Sequence, residues 1–339
     1  MKGIIAYSSP VNVSLIKNFG SYRRRYTGSP SISITLDKLR SETWVMYHYD
    51  SSKHFSVNAK INGVESEYLI RRVKNWFHKA SAIFPWITNT EFEISVNIDE
   101  QQIPFVGIYT AMTSLSFCVA EIASRLGKFD EKSNLQTISS LALLDSENAA
   151  RSVFGGFVSV GKTDVLPWSS DKYATPYQRG ALIFDKLLVT TLVFDDTQEI
   201  PNADILTNHP YMEVRQKHAH SNFNRFLHAL DEGQWDVFES ISENEALTHA
   251  GLLISAENSN FLPSAQLIDT IRRLRDFRSE CECPVTFTFD RELRLHLLYP
   301  PIAKDNLLNF LSKMKTDHIK IFYDSIGKKS PTKIKDELQ

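Results

Sequence analysis

Three charged side chains stand in apolar stretches of this chain. They are Lys17 in Leu-Ile-Lys-Asn-Phe, Arg151 in Ala-Ala-Arg-Ser-Val-Phe, and Asp290 at the end of Phe-Thr-Phe-Asp. A charge is costly to bury unless an opposite charge or hydrogen bonds meet it. Lys17 closes the segment Ser9 to Gly20, which also carries Asn12, and Ser31-Ile-Ser-Ile-Thr-Leu36 follows with Ser31 and Ser33. Such a set fits a small, highly charged anion, or else a satisfied polar cluster. Arg151 precedes a Gly-Gly strand start, where its planar fork can face a carboxylate or phosphate. By composition alone a neighbouring acid is the simpler partner. Asp290 opens a turn, as aspartate often does, and the same position lets a carboxylate face a cleft.

Other chemistries are missing. The sequence contains no G-x-x-x-x-G-K-S/T, no G-x-G-x-x-G and no H-E-x-x-H. Cys281 and Cys283 are too close for a zinc pair and have no second pair. His218 and His220 are two apart and do not share a helical face. No metal site is expected.

The elements that must position these residues are mixed. Alternation predicts strands over 3–16, 31–36, 43–49 and 91–98. Helical spacing predicts helices over 68–84, 113–126 and 135–145. A strand is expected over 154–160, and a polar loop over 168–173. Another strand is expected over 187–194, then helices over 209–230, 235–250 and 265–278. Strands 285–289 and 295–299, a helix 303–315 and a strand 319–323 close the pattern. With no steady βαβ rhythm and no repeats, the expectation is an α+β chain in two halves, 1–180 and 181–325. The polar stretch 326–339 is expected to be a flexible tail.

A chain of 339 residues has room for a large core. Its net charge of −2 gives no reason to expect nucleic acid. Arg23, Arg24 and Arg25 form a short basic run. Only three cysteines occur, which suits a reducing cytoplasm. Neither a signal peptide nor a membrane span is read.

In order along the chain, these segments resemble the mevalonate diphosphate decarboxylases of the GHMP kinase superfamily. Ser9 to Gly20 resembles their S/A-P-x-N-I-A-x-x-K-Y-W-G-K, and 31–36 their S-I-S-x-T-L. Ala150-Arg-Ser-Val-Phe-Gly-Gly resembles A-C-R-S-L-F-G-G. Thr288-Phe-Asp290 with His296-Leu-Leu-Tyr-Pro300 resembles T-x-D-A-G-x-N-V-H-L-L-Y-P. Each motif is short; their shared order, over roughly residues 4 to 325, is specific. The resemblance implies a two-domain GHMP-kinase-like fold, with a ribosomal protein S5 domain 2-like N-terminal half and a ferredoxin-like α/β C-terminal half. It implies a homodimer. It implies Lys17, Arg151 and Asp290 as catalytic residues, Arg151 on the substrate carboxylate, and Asn12, Ser31, Ser33, Ser146, Arg23 and Arg24 around the substrate.

Departures from the pattern fall on the nucleotide side. The family's phosphate loop, near P-H-S-S-G-L-A-S-S-A-S-G, reads here Pro104-Phe-Val-Gly-Ile-Tyr-Thr-Ala-Met-Thr-Ser-Leu115. Phosphate loops expose backbone N–H groups and need small residues. Tyr109 and Met112 put bulk among Gly107, Thr110, Thr113 and Ser114, so this loop is expected to be degenerate. Ser146-Glu-Asn148 replaces S-G-S, Ser21 replaces a second lysine, and Arg291-Glu-Leu-Arg294 replaces A-G-x-N. The resemblance then implies a decarboxylase of mevalonate 3,5-bisphosphate, an activity of archaeal type, giving isopentenyl phosphate with neither ATP nor a metal. The alternatives are an ATP- and Mg-dependent mevalonate diphosphate decarboxylase and an inactive binding relative.

Overall fold

The computed structural model describes every residue except 19–20, 23–25, 128–134, 196–202, 207, 258, 291, 315–317 and 339. Two long strands start the fold: β1 (Lys2–Ile16) and β4 (Ser31–Tyr49), with the two-residue strands β2 (Ser21–Tyr22) and β3 (Tyr26–Thr27) between them. Next come β5 (Ser56–Ile61), β6 (Val64–Glu65), α1 (Glu67–Ala80) and β7 (Thr90–Asn97). Then follow α2 (Tyr109–Arg125), α3 (Leu135–Leu143), α4 (Glu147–Arg151), β8 (Phe157–Val160) and β9 (Thr175–Tyr177). The expected pair of strands over 31–49 is one strand, and β1 pairs with both of its parts, 32–35 and 40–48.

With the last strand of the chain, β14 (Thr332–Leu338), these strands make an eight-stranded sheet in the order β14-β1-β4-β7-β5-β6, with β8 on the first part of β4 and β9 on β8. All its pairings are antiparallel except β5 with β7. On α1, Leu69, Val73, Trp76, Phe77 and Ala80 make one buried face, and Ser66 caps the first turn through Leu69 N–H. Phe77 stacks on Phe92 of β7 at 4.3 Å between ring centroids. Truncating Phe77 to alanine is expected to cost about 3–5 kcal/mol.

The second half supplies β10 (Leu188–Phe194), α5 (Met212–Glu232), α6 (Trp235–Ser255) and α7 (Ala265–Cys281). It continues with β11 (Thr286–Phe289), β12 (Leu295–Tyr299), α8 (Lys304–Ser312), β13 (Ile319–Ser325) and β14 (Thr332–Leu338). Its antiparallel sheet runs β11-β12-β10-β13. One apolar core lies on this sheet under α6, α7 and α8. The other lies on the large sheet and extends to Phe223, Phe226 and Phe238 of α5 and α6. This is an α+β, two-domain GHMP-kinase-like fold. No described helix is long and apolar enough to cross a membrane.

The tail expected over 326–339 is corrected. Thr332–Leu338 pairs antiparallel with Gly3 to Ser8 of β1 and forms one edge of the large sheet. Gly327 anchors the return: its N–H donates to Thr35 O, and its carbonyl accepts from Gly156 N–H at 2.7 Å. Charged side chains suited to an exposed edge strand hid this element from composition. The Asp324 carboxylate adds a tie by accepting from the N–H groups of Asp37, Lys38 and Leu39.

Two register shifts break the β1–β4 ladder, between Pro10 and Asn12 and between Ser14 and Ile16. Bulges re-aim side chains beside functional sites. Here they flank Asn12 and lead into Lys17.

Candidate active site

Lys17 follows the last residue of β1 and crosses to the other half of the chain. Its ammonium donates to Ser14 O and Thr288 Oγ1 at 3.1 Å and to Phe289 O at 2.5 Å. Its backbone N–H donates to Glu245 Oε2 at 3.0 Å. Burial pushes the ammonium down to a pKa of about 8, against the pull of Asp290 and Glu245. Glu245 is itself held by Arg215 and by Asn222 Nδ2 at 2.8 Å.

Asp290 sits where the chain leaves β11. Arg294 Nε lies 2.5 Å from its Oδ2, and Arg294 N–H donates to its Oδ1 at 3.0 Å. His296 Nε2 is 3.4 Å from Oδ2, while His296 Nδ1 pairs with Thr191 Oγ1 at 2.9 Å. Burial by itself would raise the carboxyl's pKa. Arg294 and His296 outweigh it and hold Asp290 well below the usual carboxylate range. Another nitrogen of Arg294, Nη1, reaches Pro104 O at 3.4 Å, near the entrance to α2.

Buried side chains line that entrance. The helix starts at Tyr109, earlier than the expected 113, because Tyr109, Met112 and Leu115 recur every three residues and are all buried. A Cβ on Gly107 would lie 2.5 Å from Tyr109 Cε1, so the ring folds back where only glycine leaves room. Its hydroxyl accepts from Asn12 N–H and donates to Asn12 O, both at 3.0 Å. The hydroxyls of Thr110, Thr113 and Ser114 are all engaged inside the protein, with Gly107 O, Ala149 O and Ser9 Oγ among their partners. Thr110 N–H and Ala111 N–H are taken by Gly107 O and Ile108 O.

Arg151 ends α4 and is 3% exposed. Its Nη1 donates to Ser31 Oγ at 2.5 Å and lies 3.3 Å from Glu147 Oε2, and its Nη2 binds Asn148 Oδ1. Arg151 Nε has no hydrogen-bond partner among the described residues. Burial lowers the pKa of this guanidinium and raises that of the Glu147 carboxyl. Asn12 Nδ2 donates to Asn148 O and Ser152 Oγ at 2.7 Å. Ser33 Oγ is buried and also lacks a partner among the described residues. Ser146 is used as the cap of α4: its hydroxyl accepts from Ala149 N–H and donates to Asp145 Oδ2 at 2.8 Å. Arg72 holds Asp145 at 2.6 and 2.8 Å. Arg23 and Arg24 lie outside the described residues.

Residues 9–174 match the family model described as diphosphomevalonate decarboxylase-like N-terminal domain. That stretch of the chain is similar to this N-terminal domain. Among solved structures, the mevalonate diphosphate decarboxylase from Staphylococcus aureus superposes with a TM-score of 0.83 at 17% identity, covering 99% of each chain. The decarboxylase from Enterococcus faecalis, in a structure described by its mevalonate diphosphate mediated ATP binding mechanism, gives 0.81 at 16% identity, over 98% of this chain and 99% of that one. The one from Legionella pneumophila gives 0.78 at 17% identity, over 94% and 100%. No curated protein sequence matches. At these identities the structures establish a shared fold along the whole chain.

Within residues 9–174, the sequence pointed to Asn12, Lys17, Ser31, Ser33 and Arg151 but not to Glu147, Asn148 and Asn18 as site residues. Glu147 and Asn148 had a signal, since they replace Gly and Ser of the family pattern. Arg294 had one too, four residues after Asp290 in place of asparagine. Glu245 lies far from Lys17 in sequence, and His296, although part of the matched H-L-L-Y-P motif, sits inside an apolar strand where nothing local gave it a role.

Proposed function

We propose that this protein decarboxylates a phosphorylated mevalonate that arrives with its 3-oxygen already phosphorylated, and that it uses no ATP. The substrate on this reading is mevalonate 3,5-bisphosphate. The C1–C2 bond breaks and carbon dioxide leaves. Its electron pair becomes the C2–C3 double bond, and the C3–O bond breaks with the pair leaving on phosphate. The products are isopentenyl phosphate, carbon dioxide and phosphate, and no proton has to be removed from the 3-oxygen.

The observation that carries this reading is Arg294 on Asp290. An ATP-using relative must activate a 3-hydroxyl, and a base for that task works best with a pKa near the working pH. Asp290 is held far from that condition. Tyr109 at the start of α2 supports the same reading, because its ring lies against Gly107 and the N–H groups of Thr110 and Ala111 are already taken within the chain. On this reading Lys17 meets the leaving phosphate as a cation, Arg151 orients the carboxylate, and the Asp290 anion stays ionised throughout.

The test is nucleotide binding. Titration of Mg-ATP into the protein with mevalonate 5-diphosphate present is expected to give no heat of binding. A micromolar dissociation constant would overturn the reading.

A second reading, a relative that binds without turnover, is favoured by Arg151, whose guanidinium is already engaged by Ser31, Glu147 and Asn148. Its signature is binding of a phosphorylated mevalonate with no product under any condition.

A further inference from the structure

Glu147 lies one helical turn before Arg151, at the first position of α4, and points its carboxylate back at that guanidinium. The contact is shared. Ser31 Oγ accepts from Arg151 Nη1 and donates to Glu147 Oε2 at 3.0 Å, and Asn18 Nδ2 holds the other carboxylate oxygen. The arginine and its acid thus form a closed set with a hydroxyl and an amide. In the family pattern this position is glycine, which has no side chain to place there.

We propose that Glu147 is a built-in competitor for the carboxylate of the bound ligand, and that it sets the affinity of this site for carboxylate-bearing substrates. The inference rests on the proposed function only in taking Arg151 as the arginine that meets a ligand carboxylate. Three observations support it. Glu147 offers Arg151 the same chemical group that a ligand carboxylate would. It engages one end of the guanidinium and leaves Nε without a partner among the described residues, so the fork has unused capacity. Its side chain is 18% exposed against 4% for Arg151, so the acid has a way out while the arginine stays fixed. Burial also disfavours its charged form, which makes release to water less costly than for a contented ion pair. A ligand has to displace Glu147, and the cost of that exchange is subtracted from its binding.

The test compares two ligands by calorimetry on the full chain. One is mevalonate 5-phosphate; the other is its counterpart with the C1 carboxylate reduced to an alcohol. In Glu147→Gln the carboxylate ligand is expected to bind at least about tenfold tighter than in the natural protein, the scale of one charge-assisted hydrogen bond. The alcohol is expected to change by less than threefold. Glu147→Gly, which empties the position, is expected to give the same split and serves if the glutamine variant does not fold. Equal tightening of both ligands would reduce Glu147 to a general charge effect and overturn the proposal. Unchanged or weaker carboxylate binding, or no binding of either ligand, would overturn it as well. The proposed function fails separately: a split in affinity with no turnover of mevalonate 3,5-bisphosphate would leave Glu147 as the competitor in a binding protein.

Discussion

Arg294 Nε lies 2.5 Å from Asp290 Oδ2, and the same side chain reaches Pro104 O near the start of α2. One arginine therefore links the two places where the chain departs most from the decarboxylase pattern. The pair is largely buried, with side-chain exposures of 7% and 18%. Removing one partner of such a pair leaves an uncompensated charge. Arg294→Gln is expected to lower the unfolding free energy by about 3 kcal/mol, measured by urea denaturation. A loss below ~0.5 kcal/mol would show that the contact is of the weak surface kind.

The sign of the Asp290 shift sets an acid limb. Its folded pKa is depressed, so its contribution to stability is fully present above the ordinary aspartate range near pH 4 and is lost as pH falls through the lower folded value. Asp290→Asn should therefore flatten stability against pH below about pH 4. Unfolding free energies at pH 2.5 to 5 check this; parallel curves for the two proteins would contradict it.

Lys17 sets an alkaline limb. Its pKa is lowered to about 8, so the free protein loses this cation as pH rises through that value. On the proposed mechanism kcat/KM falls above pH 8, because kcat/KM reports ionisations of the free enzyme. The unfolded chain binds more protons between pH 8 and the ordinary lysine value, so the Lys17 contribution to stability rises with pH over that window. A kcat/KM profile flat to pH 9.5 would contradict the assignment.

Tyr109 is predicted to be structural. Tyr109→Phe keeps the ring but strands Asn12 N–H and Asn12 O. Unpaired buried backbone groups cost about 1–3 kcal/mol each, so the variant should lose roughly 2–4 kcal/mol by thermal or urea unfolding. A change below ~0.5 kcal/mol would mean that water replaces the hydroxyl.

Truncation before Thr332 removes β14 and uncovers the edge of β1. An open edge pairs with other chains. The shortened protein should melt at a lower temperature and aggregate in a concentration-dependent way, read by light scattering. Unchanged melting would return this segment to the status of a tail.

Much of this was legible in the sequence, and the omissions have reasons. Apolar periodicity located β7 and α1 because their faces are sharply divided between core and solvent, and apolar content located β1 and α5 to α8. The strand β14 was missed because its outward residues are charged and most of its burial is by one neighbour, β1. The start of α2 was misplaced by four residues because the motif suggested a loop, whereas Tyr109, Ala111 and Met112 simply continue the helix. At the site, Lys17, Arg151 and Asp290 stood out as charges in apolar runs. Ser31 stood out with them, but Thr288 and Glu245 did not, because they meet Lys17 only across the fold, and Glu147 and Arg294 showed only as departures from the family pattern.

The most direct measurement is phosphorus NMR of the purified full chain with mevalonate 3,5-bisphosphate in nucleotide-free buffer containing a chelator. The account predicts that the 3-phosphate resonance disappears as inorganic phosphate and isopentenyl phosphate appear in equal amounts, with Arg151→Ala slower by at least about a hundredfold. No change in that spectrum, together with conversion of mevalonate 5-diphosphate when Mg-ATP is supplied, would contradict it.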